Sequence, residues 1–142
     1  MRVSLDKVQP GYELPHLIKL MQFDDIASFS AWRERSIHTD EECAKDRGFP
    51  TVIAQGLMSH MYLIELLTRS FGRDWLEGGM INVKFVKSVF VGDTLSVRAK
   101  VIERKSENSV TMVKLSVWCE RQGGEQVTVG EASLLVHAKA SI

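Results

Sequence analysis

The sequence predicts an α+β domain in which a curved antiparallel sheet wraps one long buried helix. Three observations predict it. Apolar residues at 57, 58, 61, 62, 63, 64, 66, 67 and 71 cover most of the circumference of a helix over residues 56–71. From Gly79 onward the pattern changes to strand-like alternation broken by turn signals. The chain has 142 residues, 44% of them apolar and 25% charged, which suits a single globular domain. A chain of that length buries roughly 70% of its unfolded surface, so its core needs neither a metal nor a disulfide.

The first third holds all three prolines, Pro10, Pro15 and Pro50, and reads as broken and loop-rich. Residues 13–21 suit a short strand. Asp24 or Asp25 can cap a short helix running through Phe29 and Trp32, with Phe23 as a staple ahead of it. Asp40 is placed to cap a second short helix over residues 41–47, and Gly48 suits the position just past its end. The main helix follows over residues 56–71 and stops at Gly72. Its apolar girth predicts full burial. Residues 80–86 are the first strand of the second half, and Val91-Gly92-Asp93 is a turn. Leu95, Val97, Ala99 and Val101 alternate with polar neighbours along one long strand. Ser106-Glu107-Asn108 turns the chain into residues 110–119, and Gly123-Gly124 signals a hairpin into residues 127–137. The expectation is a meander of four consecutive strands after one helix, which is the hotdog arrangement. An exposed sheet edge favours pairing with a second copy.

Lys plus Arg number 18 and Asp plus Glu 18, for a net charge of zero. That balance argues against a general nucleic-acid binder, which needs a basic excess. Locally the balance fails: residues 84–105 carry six basic residues and two acidic ones. Such a patch suits a pyrophosphate-bearing group, and equally a solvated strand face. Cys43 and Cys119 are too few for a disulfide scaffold. No signal peptide is apparent, and the most apolar stretch is interrupted by His60, Glu65 and Arg69, so no membrane span and a cytoplasmic location are expected. His16, His38, His60 and His137 are scattered, with no metal-binding spacing, and no nucleotide-binding or serine-hydrolase motif occurs. Trp32, Trp75 and Trp118 are expected in core or dimer packing.

Three segments, in order, resemble the MaoC-like hydratase and dehydratase family. Residues 36–44 (SIHTDEECA) resemble its N-P-x-H-x-D-x-x-x-A stretch. Residues 53–58 (IAQGLM) resemble I-A-H-G-M at the entrance of the hotdog helix. Residues 82–95 (NVKFVKSVFVGDTL) resemble a strand followed by P-V-x-x-G-D-T-L. The resemblance implies one MaoC-like hotdog domain over residues 1–142, working as a homodimer or beside another hotdog subunit. It implies addition of water to a 2-enoyl thioester of coenzyme A or acyl-carrier protein, giving the (R)-3-hydroxyacyl form. No cofactor is implied beyond the coenzyme A of the substrate. The substrate site is implied to lie at the subunit interface.

Such a reaction needs a base for water, an acid for C2 and donors for the thioester oxygen. The resemblance implies His38 for acid–base work and the Gly56 N–H as an oxyanion donor. Where the family carries its catalytic Asp, five residues before His38, this chain has Arg33; Arg35 and Ser36 replace the Asn and Pro, and Gln55 replaces a His. A guanidinium cannot act as a base near neutrality. Three readings stay open: Glu34 supplies the carboxylate from one residue away; His38 acts alone while Arg33 binds an anionic acyl group or phosphate; or the hydratase chemistry is lost. Gln55 can donate to a ligand carbonyl, and His60, one turn beyond Gly56, can approach the acyl group. Asp40 reads better as a helix cap than as an acid. Two rivals stand beside hydration. One is a non-catalytic acyl-binding subunit paired with an active partner. The other is a thioesterase using Glu65, whose apolar helix setting would raise its pKa.

Overall fold

The computed structural model describes residues 2–32 and 34–138. After a short 3-10 turn (Leu5–Lys7) come β1 (Leu17–Leu20), α1 (Phe23–Phe29), α2 (Glu41–Asp46), α3 (Gly56–Phe71) and α4 (Arg73–Gly78). The strands β2 (Met80–Phe85), β3 (Thr94–Glu107), β4 (Val110–Glu120) and β5 (Gln126–His137) follow. All five strands form one antiparallel sheet in the order β1-β3-β4-β5-β2, and α3 lies against it. This is the hotdog arrangement that the sequence predicts.

Alternation makes the core. Leu95, Val97, Ala99 and Val101 on β3 and Val113, Leu115, Val117 and Cys119 on β4 are all buried, as successive side chains on a strand point to opposite faces. They join Leu63, Leu66, Leu67 and Phe71 of α3 in one cluster. A bulge at Val101/Glu103 breaks the β3–β4 register and leaves Ile102 exposed.

Several expectations are corrected. The strands are not a four-strand meander: β3, β4 and β5 are consecutive, but β2 pairs with β5 at the far edge. Gly130 permits that pairing, because a Cβ there would collide with the Asn82 carbonyl oxygen and lie 2.8 Å from Val83 Cα. The first strand is shorter than residues 13–21, with Glu13 joined to the sheet only by an isolated bridge to Lys100. Asp24 and Asp25 do not cap α1; they occupy its first turn, where a negative charge suits the helix dipole, and Gln22 is the N-cap without a side-chain bond. The helix ends at Phe29, short of Trp32. The α4 turn between Gly72 and Gly79 is additional, and it buries Trp75.

The main helix is not buried all round either. Leu63, Leu66 and Leu67 face the core, while Leu57 and Met61 are 46% and 40% exposed. One chain's sheet covers one side of α3, and the other apolar side stays open. Both ends of the sheet are also open, with Ile18 and Leu20 exposed on β1 and Met80 and Phe85 on β2. Among the described residues, no helix is long and apolar enough to cross a membrane.

Candidate functional site

The site begins with a turn. Ser36 accepts the backbone N–H of Thr39 and of Asp40 on its carbonyl, at 3.1 and 2.9 Å. Its hydroxyl accepts the His38 N–H at 3.2 Å and pairs with the Thr39 hydroxyl at 2.9 Å. Asp40 then caps α2, its carboxylate accepting the Cys43 N–H at 3.1 Å, as the sequence indicates. Gly48, at φ +90, ends that helix. His38 is thus held by its neighbours before any ring contact is made.

The His38 ring is fixed by Nδ1, which lies 2.8 Å from the Ile53 carbonyl oxygen. A carbonyl only accepts, so Nδ1 carries the proton. In the neutral ring Nε2 is then the lone-pair nitrogen, able to accept a proton. The Ile53 N–H donates back to the Ile37 carbonyl at 3.1 Å, so residues 37 and 53 hold each other in place.

His38 lines two clefts. One, of about 500 Å³, is lined by Ala54, Gln55, Gly56, Phe85, Lys87 and Ser88, with Ser59 and Thr128 also lining it. The second, of about 320 Å³, is lined by Phe29, Ser30, Ala31, Ser36 and Gln55 as well as His38. Gln55 also lines both, its amide donating to the Ser30 hydroxyl at 2.9 Å. Gly56 opens α3, where the first N–H groups have no partner inside the helix and the dipole is positive. Phe85 lies directly over it: a Cβ on Gly56 would meet three ring carbons at 2.7 to 2.9 Å. Behind Gly56, the Ser59 hydroxyl bonds the Gly56 carbonyl at 2.8 Å and the Thr128 hydroxyl at 2.6 Å.

The structure therefore brings His38, Gly56 and Gln55 together. Glu34 is not with them: it is exposed and lines a separate cleft with Phe23, Trp32 and Arg35. Among the described residues, no carboxylate lines either cleft with His38. Arg33 lies outside the described residues. His60 lines neither cleft; its Nε2 is closed off from solvent and has no hydrogen-bond partner among the described residues. Ser30 and Thr128 were not singled out by the sequence, whereas Ser36 and Phe85 lie in segments whose resemblance pointed to them without a role.

Glu65 contradicts the raised pKa expected of it. Burial alone pushes its carboxyl up, but a hydrogen bond and charge from Lys19 at 2.7 Å and the charge of Arg69 at 2.9 Å outweigh that and hold it below the usual range. A carboxylate stabilised in this way is a weak base, so the thioesterase reading loses its base. The basic patch also shrinks. Arg98 pairs with Glu120 at 3.1 Å, Arg104 donates to the Leu5 and Val8 carbonyls, and Lys105 pairs with Glu103 at 3.1 Å. Lys87 remains at the cleft. Trp75 is core, whereas Trp32 is exposed and meets Phe23 edge-on at 6.2 Å. Among the described residues, no group of three or more His, Cys, Asp or Glu could hold a metal ion.

The model of the MaoC-like domain family matches residues 23–123. A mitochondrial 3-hydroxyacyl-[acyl-carrier-protein] dehydratase of Solanum lycopersicum is 23% identical over 115 residues, covering 80% of this chain and 68% of that protein. The unliganded R-hydratase PhaJ1 from Pseudomonas aeruginosa superposes with a TM-score of 0.77 at 21% identity, covering 96% of this chain and 89% of its own. A MaoC-like dehydratase from Rhodospirillum rubrum superposes at 0.78 with 20% identity, covering 98% and 99%. At these identities the structural likeness is one of fold.

Proposed function

The chain belongs to the MaoC-like hydratase and dehydratase family, and on that premise we propose that it adds water reversibly to a 2-enoyl thioester, with His38 as the single acid–base residue. One observation carries this reading: His38 Nδ1 is tied to the Ile53 carbonyl, so the lone pair of its neutral ring is at Nε2, and His38 lines a cleft together with the start of α3.

The steps follow from those positions. The thioester carbonyl oxygen accepts the Gly56 N–H, and the positive end of α3 favours the negative charge that develops on that oxygen. His38 Nε2 takes a proton from water as the water oxygen bonds to C3 and the C2–C3 π electrons move toward the thioester. The resulting imidazolium then gives that proton to C2. One proton leaves water and returns to carbon, so the balance closes with a single imidazole, and hydrogen and hydroxyl arrive on the same face. The Ile53 carbonyl holds Nδ1–H throughout and stabilises the imidazolium between the two transfers. Gln55, tied to Ser30, is placed to meet the acyl group, and Lys87 at the cleft is a handle for the anionic carrier.

The subunit is read as half of a dimer. The open β2 edge, the exposed face of α3 at Leu57 and Met61, and exposed Phe85 and Val86 beside the cleft are the apolar surface that a second hotdog subunit would cover. The lack of a carboxylate beside His38 among the described residues favours a second reading, in which an active hotdog partner brings one. The test is to mix purified protein with crotonyl-CoA and with longer enoyl-CoA and enoyl-carrier-protein substrates and follow the loss of enoyl absorbance. Turnover by the purified chain alone supports His38 acting by itself. Turnover only with a co-purifying partner supports the second reading, and none under either condition overturns both.

A further inference from the structure

Asp93 is 6% exposed and touches neither cleft, yet it is tied to the segment that holds His38. Its Oδ2 accepts the Phe90 N–H at 2.8 Å, and its Oδ1 accepts the Gln122 side-chain amide at 2.7 Å. Gln122 in turn accepts the Thr94 N–H on Oε1 at 2.9 Å. Arg121 stands 3.8 Å from Oδ2. The backbone of the same turn is fastened to β1's end, with Met21 N–H on the Asp93 carbonyl and Gly92 N–H on the Met21 carbonyl, both at 2.8 Å.

Residues 89–91, which this turn closes, pair with residues 52–54. Ala54 donates to the Val89 carbonyl at 2.8 Å, Val91 donates to the Val52 carbonyl at 3.2 Å, and Ile53 is bridged to Phe90. Ile53 supplies the carbonyl that fixes His38, and two residues later the same strip becomes Gln55 and Gly56. We infer that Asp93 is a positioning residue for the reaction: by closing the 90–93 turn it sets residues 52–54, and through them the His38 ring and the entrance of α3. The inference rests on the hydratase reading for its effect on rate, but not for its effect on His38.

A merely structural turn would lower stability when altered and leave the His38 tautomer alone. The experiment therefore compares wild type, Asp93→Asn, Gln122→Ala and the double variant Asp93→Asn/Gln122→Glu. In Asp93→Asn the new side-chain oxygen can still accept the Phe90 N–H, but the new amide nitrogen meets the Gln122 amide donor to donor. In the double variant the carboxylate introduced at position 122 accepts both the amide introduced at position 93 and the Thr94 N–H. Every hydrogen bond is then restored, while the negative charge that faces Arg121 moves by one side chain. The readouts are kcat and KM for enoyl thioester hydration, and nitrogen-15 NMR of the His38 ring, assigned with a His38→Gln control.

Asp93→Asn is expected to lower kcat about 10- to 100-fold with KM within about twofold, since small misplacements of a catalytic group have effects of that size. The His38 Nδ1–H signal is expected to weaken. Gln122→Ala, which removes the amide without setting donor against donor and keeps the Asp93 carboxylate on the Phe90 N–H, is expected to fall between it and wild type. The double variant is expected to recover both readouts. Recovery of thermal stability without recovery of kcat and the His38 signal would overturn the inference, as would an unchanged His38 signal in Asp93→Asn and Gln122→Ala. If wild type hydrates nothing while the His38 signal is lost and restored as described, the positioning role stands and the hydratase reading falls.

Discussion

Adding one methyl group at Gly56 tests how the proposed oxyanion donor is held. The added Cβ would lie 2.7, 2.8 and 2.9 Å from Phe85 Cγ, Cδ2 and Cδ1. Carbon atoms rest at about 3.5 to 4.0 Å, so either the ring or the start of α3 must yield by about 1 Å. Phe85 is 53% exposed, which lets the ring swing outward and keeps the stability loss near the lower end of the range for overpacking, about 1 kcal/mol. The catalytic loss is expected to be larger. Displacement of an oxyanion donor, or of the ring that shields it, lowers kcat about 100-fold. Phe85→Ala removes the obstacle, so Gly56→Ala added to it should cost little more than Phe85→Ala alone. The assay is a double-mutant cycle on initial hydration rates, with thermal melts confirming that all four proteins fold. Coupling of at least about 1.4 kcal/mol, a tenfold difference in rate, is expected. If Gly56→Ala has the same effect with and without Phe85, the two do not act together and the placement of the donor is wrong.

Acid should weaken the protein partly through Glu65. Its folded-state pKa is depressed below the ordinary 4.5, so the stability it contributes is present above that value and is lost as pH falls through the lower, folded-state value. Urea melts of wild type and Glu65→Gln should differ at pH 7 and converge as the solution is taken well below pH 4.5; a constant gap would contradict the Lys19 and Arg69 pairing. The thiols should separate as well. Burial pushes Cys119 up to about 12, while Cys43 is half-exposed and bonds the Arg35 carbonyl at 3.2 Å. One thiol is expected to react with a disulfide reagent in the native protein and to vanish in Cys43→Ser. Two equally fast thiols would contradict the burial of β4.

Local signals explain what could be read from the chain alone. The α3 helix announces itself by apolar spacing and ends at Gly72, whose φ of +59 suits glycine. Asp40 and Gly48 bracket α2 by cap chemistry that acts within a few residues. The alternation of β3 gives its buried face directly. Nonlocal facts were not legible. Nothing in residues 80–85 tells that they pair with residues 128–133 rather than with the next strand; that depends on the close approach Gly130 allows, far away in sequence. The same holds in the site. His38 and Gly56 came from a motif, but Glu34 is adjacent in sequence and distant in role. The loop before it turns through left-handed conformations at Ala31 and Trp32, with Arg35 following at φ +50. Glu65 looked like a base because its helix neighbours are apolar; Lys19, which makes it a poor one, arrives from β1.

The central claim is that His38 moves the proton in both halves of the reaction. Its most direct test is the steady-state hydration rate of crotonyl-CoA by wild type and His38→Ala, run in deuterated water with the product analysed at C2. Wild type is expected to turn over and place one deuterium at C2 on the same face as the new hydroxyl, and His38→Ala to lose at least about 100-fold in kcat. A His38→Ala protein that keeps wild-type turnover, or a product with deuterium and hydroxyl on opposite faces, would contradict it.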